Sequence, residues 1–283
     1  MAFVASKKRQ ELIKTTMVYI TLSIGAVIIL LPIAWMLSTA LKESGSIFLF
    51  PPQWIPKPIR WDNFSKAVNA IPFWEFLKNT LIITAFGVVG QICSSAIVSF
   101  GFARLDFHGR DFLFFLLIST MMLPGIVTMI PVFMMFKAWG WLDSFKPLIV
   151  PSYFGSGVFY IFVIRQFFMS IPFELDEAAR IDGCGTFGTF WHILLPLAKP
   201  ALMTIAIFSF LGHWSDFMGP LIYLNDTSKF TLSLGLNLFR GMYNTDWNLL
   251  MAASLLIMLP SVVLFFFTQK QFVQGIVVSG IKG

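Results

Sequence analysis

The chain is 283 residues long, 57% hydrophobic and only 12% charged, with a mean hydropathy of +0.79. An ordinary soluble domain carries roughly a quarter charged residues, so a pair of water-soluble domains is excluded and the expected solvent is a bilayer. The net charge of +6 suits anionic headgroups, and because no Lys/Arg patch interleaves with aromatics, nucleic acid is set aside as a partner.

A Lys, Arg or Asp at mid-membrane costs about 2.5 to 3.5 kcal/mol, so the charge-free stretches mark the spans. Residues 1–14 form a basic tail with Lys7, Lys8 and Arg9. No small-residue cleavage site follows closely, and the first apolar run is too long for a signal peptide, so it reads as a retained anchor. Spans follow at residues 15–41, 79–103, 112–136, 147–164, 200–224 and 247–269, each able to cross a core that needs about 17 to 25 helical residues. The predicted fold is an all-α polytopic membrane protein with six transmembrane helices, residues 15–269, closed by a tail at 270–283.

The tail before Thr15 and the Arg104 to Arg110 turn are basic for their length, which puts both termini in the cytoplasm. Trp54, Trp61, Trp74, Trp139, Trp141 and Trp247 then fall toward the outer face, as an aromatic belt does. Gly87, Gly90, Ser94, Ser95 and Ser99 make one span small enough for close helix approach. Pro32, Pro124, Pro131, Pro151 and Pro260 carry two readings: proline tolerated as it commonly is in membrane helices, or helices bent apart around a cavity.

Residues 165–199 form a long polar excursion facing the cytoplasm. Pro172 suits a first helical turn, and Glu174, Asp176 and Glu177 put negative charge at the positive helix end. Gly183 supplies a left-handed stop, so a short helix is expected over about residues 173–182. Ala178 and Ala179 make one patch of it small. The next segment, 186–195, carries Phe187, Phe190, Trp191 and Ile193. Such bulk either lies on the membrane surface or docks a soluble partner.

Chemistry is sparse. There is no G-x-x-x-x-G-K-[ST] loop, so ATP hydrolysis is not expected on this chain. Cys93 and Cys184 cannot build a disulfide framework or a four-ligand metal site. His108, His192 and His213 have no ligand spacing, and no metal site or catalytic residue is assigned. Gly183-Cys184-Gly185-Thr186-Phe187-Gly188 spells G-x-G-x-x-G, but no strand precedes it, so it reads as a turn. An ion-coupled carrier would place several carboxylates at the midplane. Only His213 and Asp216 lie within a predicted span.

Glu177-Ala178-Ala179, three residues, Gly183, nine residues, Ile193, one residue, then Leu195-Pro196 resembles the EAA motif of the membrane subunits of bacterial ATP-binding-cassette importers. The flanking residues 176–183 and 193–202, with Phe48 to Pro56, 214–217 and the tail from Phe272, resemble the carbohydrate-uptake branch and are similar to the shorter maltose-transporter permease. The resemblance covers nearly the whole chain after Thr15. It implies a permease that moves a sugar or oligosaccharide across the cytoplasmic membrane of a bacterium by alternating access. It also implies a second homologous permease in a heterodimer, two cytoplasmic subunits holding ATP and Mg, and an extracytoplasmic solute-binding protein. Glu177, Ala178, Ala179 and Gly183, with Ile193, Leu195 and Pro196, would carry the coupling to the ATPase.

A sugar site mixes aromatic rings with hydrogen-bonding groups. His213, Trp214, Ser215 and Asp216 provide that mixture in the fifth span, and Tyr153 and Ser156 in the fourth. His213 and Asp216 share a helix face, so they equally suit a bond to one another or to the partner permease. The outer loop 225–246 resembles the family's segment that can reach into the docked binding protein, with Asn237 as the candidate contact. Glycerol phosphate stands as the alternative solute within the family, an ion-coupled secondary transporter as the alternative outside it.

Overall fold

The computed structural model describes residues 2–241 and 245–280, with side chains for 10–241 and 245–269. Fourteen helices lie among the described residues: α1 Ala2–Ala40, α2 Asp62–Ala70, α3 Phe73–Arg104, α4 Arg110–Ser119, α5 Gly125–Ala138, α6 Lys146–Ile149, α7 Val158–Ser170, α8 Glu174–Ile181, α9 Thr186–Thr189, α10 Leu195–Leu197, α11 Lys199–Trp214, α12 Met218–Tyr223, α13 Leu232–Gly235 and α14 Trp247–Gly280. The β structure among them is a single bridge, Arg240 to Thr245. Among the described residues four helical segments are long and apolar enough to cross a membrane, or up to six if each of two sharply bent pairs is one span.

The chain divides into two compact units. The first comprises Met1–Ile71 and Leu238–Ile257. Its long helix α1 begins well before Thr15, where the tail was expected to stop. Lys, Arg, Gln, Glu and Leu are all good helix formers, so the charges there bound the apolar stretch without ending the helix. At the other end of α1 the chain turns back: the Arg60 amide donates to the Leu41 carbonyl at 2.9 Å. Asn63 donates to the carbonyls of Ala40 and Lys42, both at 2.8 Å. The Lys42 ammonium is buried over the Trp35 ring at 4.0 Å, and Trp35 meets Trp54 edge-on at 5.0 Å.

The second unit comprises Pro72–Asn237 and Met258–Gly283, and α3 is its spine. This helix buries Gly87, Gly90, Gln91, Ser94, Ser95 and Ser99. Its hydroxyls satisfy carbonyls that lack helical partners or are shared: Ser94 Oγ donates to Ser152 O and Ser99 Oγ to Ile161 O, each at 2.7 Å. Small residues admit the neighbouring backbone, and the hydroxyls hold it there without exposing a polar group to lipid. The core beside the Arg104 end of α3 joins Ala96, Phe100, Ile164, Phe168, Phe190 and Leu194.

Three of the expected spans are broken. The third span bends by 102° between Arg110–Met122 and Gly125–Ala138. Leu123 is forced out of helical geometry by the following Pro124, and both residues are extended, with ψ of 120° and 130°. In the fourth, the chain leaves the 3-10 turn after α6 through Gly155 at φ +72° before α7 begins. The fifth ends as α11 at Trp214 and restarts as α12, while α9–α10 meets α11 at 75°. A π-helical turn over Phe190–Leu194 sits within that bent pair. The sixth does not stop at Gln269: the backbone stays helical to Gly280. Residues 281–283 of the expected tail lie outside the described residues.

Candidate functional site

The polar excursion folds as anticipated in outline. Helix α8 begins after Pro172 with Glu174, Asp176 and Glu177 in its first turn. It ends in a Schellman turn: Gly183 N–H donates to Arg180 O at 3.0 Å and Cys184 N–H to Ala179 O at 2.8 Å, with Gly183 at φ +82°. No neighbouring atom lies within 4 Å of a Cβ built there, so a side chain at 183 is opposed by the backbone conformation alone.

The helix has two faces. Asp176 and Ala179 are buried, whereas Glu177, Ala178 and Ile181 point outward, Ile181 being 86% exposed. Ile181 lies one turn from both Glu177 and Ala178, and an isolated charge-free side chain of that size in the open is the feature the sequence reading missed. Its signal was available in the same i, i+3, i+4 spacing.

Asp176 lies in the first turn of the helix as expected, and it is also an inward anchor: its carboxylate stands 3.5 Å from the Arg104 guanidinium, and both side chains are only 6% exposed. The same guanidinium donates to the carbonyls of Phe168 and Ile171, both at 2.8 Å. Arg104, used in the sequence only to mark the end of a span, therefore gathers the ends of α3 and α7 and the inward face of α8.

The segment after Gly183 divides its aromatics. Phe190 and Leu194 plug the core against Phe100 and Phe168, and Phe190 lies 4.8 Å from the Phe100 ring. Phe187 and Trp191 stay exposed at 70% and 58% and stack on each other at 6.4 Å. Of the remaining motif positions, Ile193 and Leu195 are half-buried and Pro196 is exposed.

The solute candidates separate. His213 Nδ1 lies 2.8 Å from Ser209 O. A carbonyl can only accept, so the proton is assigned to Nδ1, and Nε2 takes the Ser152 hydroxyl at 3.2 Å. The ring covers Gly87. Asp216 accepts from the Gly219 amide at 3.1 Å and starts α12, so His213 and Asp216 each bond elsewhere rather than to one another. Trp214 is buried, 3% exposed, and stacked on Phe210. Ser215 is exposed and donates to Leu211 O. Tyr153 lays its ring over Gly90 while staying 41% exposed, and Ser156 is exposed nearby in sequence. Asn237 is half-buried in a short 3-10 turn. A cavity of about 360 Å³ beside α5 and α12 is lined mostly by apolar groups such as Ile126, Met129 and Val132, and none of the solute candidates lines it.

Among the described residues no cluster of three or more His, Cys, Asp or Glu could hold a metal ion. Away from the spans, Asp143 receives Lys229 Nζ at 2.6 Å and the amides of Asp226 and Asn225 at 3.0 and 3.1 Å. The lysine first, then the two amides, pull its carboxyl down to about 2.

The sequence matches the family described as "Binding-protein-dependent transport system inner membrane component" over residues 95–278. It is 33% identical to the arabinooligosaccharides transport system permease protein AraQ of Halalkalibacterium halodurans, covering 87% of this chain and 86% of that protein. It is equally 33% identical to the sn-glycerol-3-phosphate transport system permease protein UgpE of Yersinia pestis bv. Antiqua, covering 92% and 94%. The fold is similar to a chain in the crystal structure of a bacterial transporter importing the acidic polysaccharide alginate, with a TM-score of 0.81 at 23% identity, over 93% of this chain and 97% of that one.

Proposed function

Because this chain belongs to the family of binding-protein-dependent transport system inner membrane components, a multi-pass permease subunit of an ATP-binding-cassette importer and not itself an enzyme, we propose that it moves a sugar or oligosaccharide and that α8 is its coupling helix. In this reading it pairs with a second, homologous permease and with two cytoplasmic subunits that hold ATP and Mg, and it receives solute from an extracytoplasmic binding protein. Both termini, the Arg104 end of α3 and α8 then face the cytoplasm. The single observation that carries the proposal is the two-faced α8: Glu177, Ala178 and Ile181 outward, Asp176 and Ala179 held inward.

Closure of the ATPase pair would push the outward face, and rigid helices would carry the displacement to the solute path as a switch between inward- and outward-facing states. ATP can drive this only by favouring one of the two states. For the solute, Tyr153, Ser156, His213, Ser215 and Asp216 offer a ring and hydrogen-bonding groups. From Pro200 to Ser228 the chain has no Lys or Arg, so that stretch supplies no cation for a phosphate, and a neutral sugar is favoured over glycerol phosphate. Asn237 is the proposed contact to the binding protein.

The test is to replace Glu177 or Gly183 with a bulky residue, Glu177→Trp or Gly183→Val. Uptake and co-purification of the ATPase subunits are expected to fall while membrane insertion survives. Unchanged uptake with either variant rejects the docking role.

A further inference from the structure

We propose that Arg104 and Asp176 form the transmission joint of the permease, passing movement of α8 to the ends of α3 and α7, so that weakening the pair leaves the ATPase docked but disconnects it from the membrane helices. The inference rests on α8 being the docking helix and goes beyond that reading by naming what lies behind it.

The geometry assigns this role to one guanidinium. Arg104 is the last residue of the 32-residue helix α3. Its Nη2 holds two carbonyls at the end of α7, and its Nη1 faces Asp176 Oδ2 at 3.5 Å. Behind the joint, α3 and α7 are tied along their length. Ser99 Oγ donates to Ile161 O at 2.7 Å, and Arg165 Nε donates to Phe102 O at 3.2 Å while stacking over Phe114 at 3.9 Å. Those ties make the two helices a stiff pair. The link to α8 is different: the ion pair is long, and Arg104 Nε and Asp176 Oδ2 are buried without a hydrogen bond. A small cavity of about 10 Å³, lined by Phe100, Arg104, Asp176, Thr186 and Thr189 among others, lies at the same place. A charged contact with slack, in a site too small for solute, is a joint whose strength changes steeply with α8 position.

Both are positioning residues: each acts through the contacts that join α3, α7 and α8. The Asp176→Asn variant keeps the shape of the side chain and leaves Arg104 its two carbonyl partners, removing only the counter-charge.

The complete importer, purified with its ATPase subunits, is tested by hydrogen–deuterium exchange with and without ATP and orthovanadate, which needs no knowledge of the solute. In wild type, α8 is expected to be protected by docking, and peptides from the last turns of α3 and α7 are expected to change exchange on adding nucleotide. In Asp176→Asn, protection of α8 should persist while the nucleotide-dependent change in α3 and α7 drops about two- to thirtyfold. Arg104→Lys, which keeps the charge but loses the fork, should fall between.

An equal nucleotide response in wild type and Asp176→Asn overturns the joint and leaves docking intact. Loss of α8 protection in Asp176→Asn alone also overturns it, because the pair then serves docking. Absence of α8 protection in wild type overturns the docking reading and the joint together. If Asp176→Asn does not accumulate in the membrane, Arg104→Lys decides by the same criteria.

Discussion

The two ends of α3 solve the same problem with different chemistry. At one end Arg104 collects two carbonyls and a carboxylate. At the other, the Asn79 amide donates to the carbonyls of Ser228 and Phe230 at 2.8 and 3.0 Å, and Thr80 Oγ1 accepts from Leu232 N at 2.9 Å. Each end ties a neighbouring loop to one buried spine. The neutral end makes its three bonds at ordinary distances, between 2.8 and 3.0 Å, so it suits a fixed clamp. The charged end is long and incompletely satisfied, and in a low-dielectric site its energy varies strongly with separation. A clamp and a joint are thus told apart by charge and by bond length, even though both are polar side chains within about two turns of an end of the same helix.

The comparison presupposes a rigid middle, and the largest expected effect tests that. The ring of His213 occupies the space that a Cβ at Gly87 would need, and two bonds, to Ser209 O and Ser152 Oγ, hold the ring in place. Gly87→Leu must therefore displace α11 or break those bonds. We expect a loss of about 3 kcal/mol, read as a large fall in the thermal midpoint of the detergent-solubilised protein, with both ends of α3 losing exchange protection together. If only the Arg104 end loosens, the two ends do not share a spine.

Next in size, Asn79→Leu removes both donors of the neutral clamp and leaves two carbonyls to find water, a cost of about 1–3 kcal/mol. The stability loss should appear without any change in the nucleotide response at the Arg104 end. Should that response also collapse, the distinction between clamp and joint is lost. Thr80→Val is nearly the same shape and removes one hydroxyl, which accepts from Leu232 N and donates to Phe76 O, so about 1 kcal/mol is expected, again confined to the segment holding Leu232.

How much of this was legible in the sequence differs between the two ends. The apolar stretches, the short helix expected over 173–182 and found at Glu174–Ile181, and the left-handed Gly183 follow from local rules: charge cost, capping and glycine geometry. Burial of Asp176 and Trp214 does not, because it depends on which residues far along the chain arrive opposite them. Arg104 illustrates the point. Its charge marks a boundary in one dimension, and only the approach of Phe168, Ile171 and Asp176 turns the boundary into a hub. The breaks fall between these cases: the Leu123-Pro124 step was visible as a proline, but proline alone permits either a tolerated kink or a full reversal, and packing chooses.

The smallest expected effect concerns a second charged tie that, unlike Arg104, is open to water. Asp143, at φ 56°, caps the loop at 225–229 through two backbone amides and Lys229, and its carboxyl is held down to about 2 from an ordinary 3.8. The Lys229 bond raises the lysine in turn. A carboxyl depressed by folding stabilises the folded state above its unfolded value and loses that contribution as pH falls through its folded one, so the benefit is complete above about pH 4 and gone near pH 2. Asp143→Asn keeps the side-chain oxygen for the two amides and tolerates the same backbone angle, removing only the charge that faces Lys229. Thermal midpoints of wild type and variant should differ slightly at pH 6, and the gap should close as pH is lowered toward 2, with high salt closing it at pH 6 as well. A gap that survives both acid and salt would mean that the charge contributes nothing at this site and that the loop is held by its amides alone, making it a neutral clamp of the Asn79 kind.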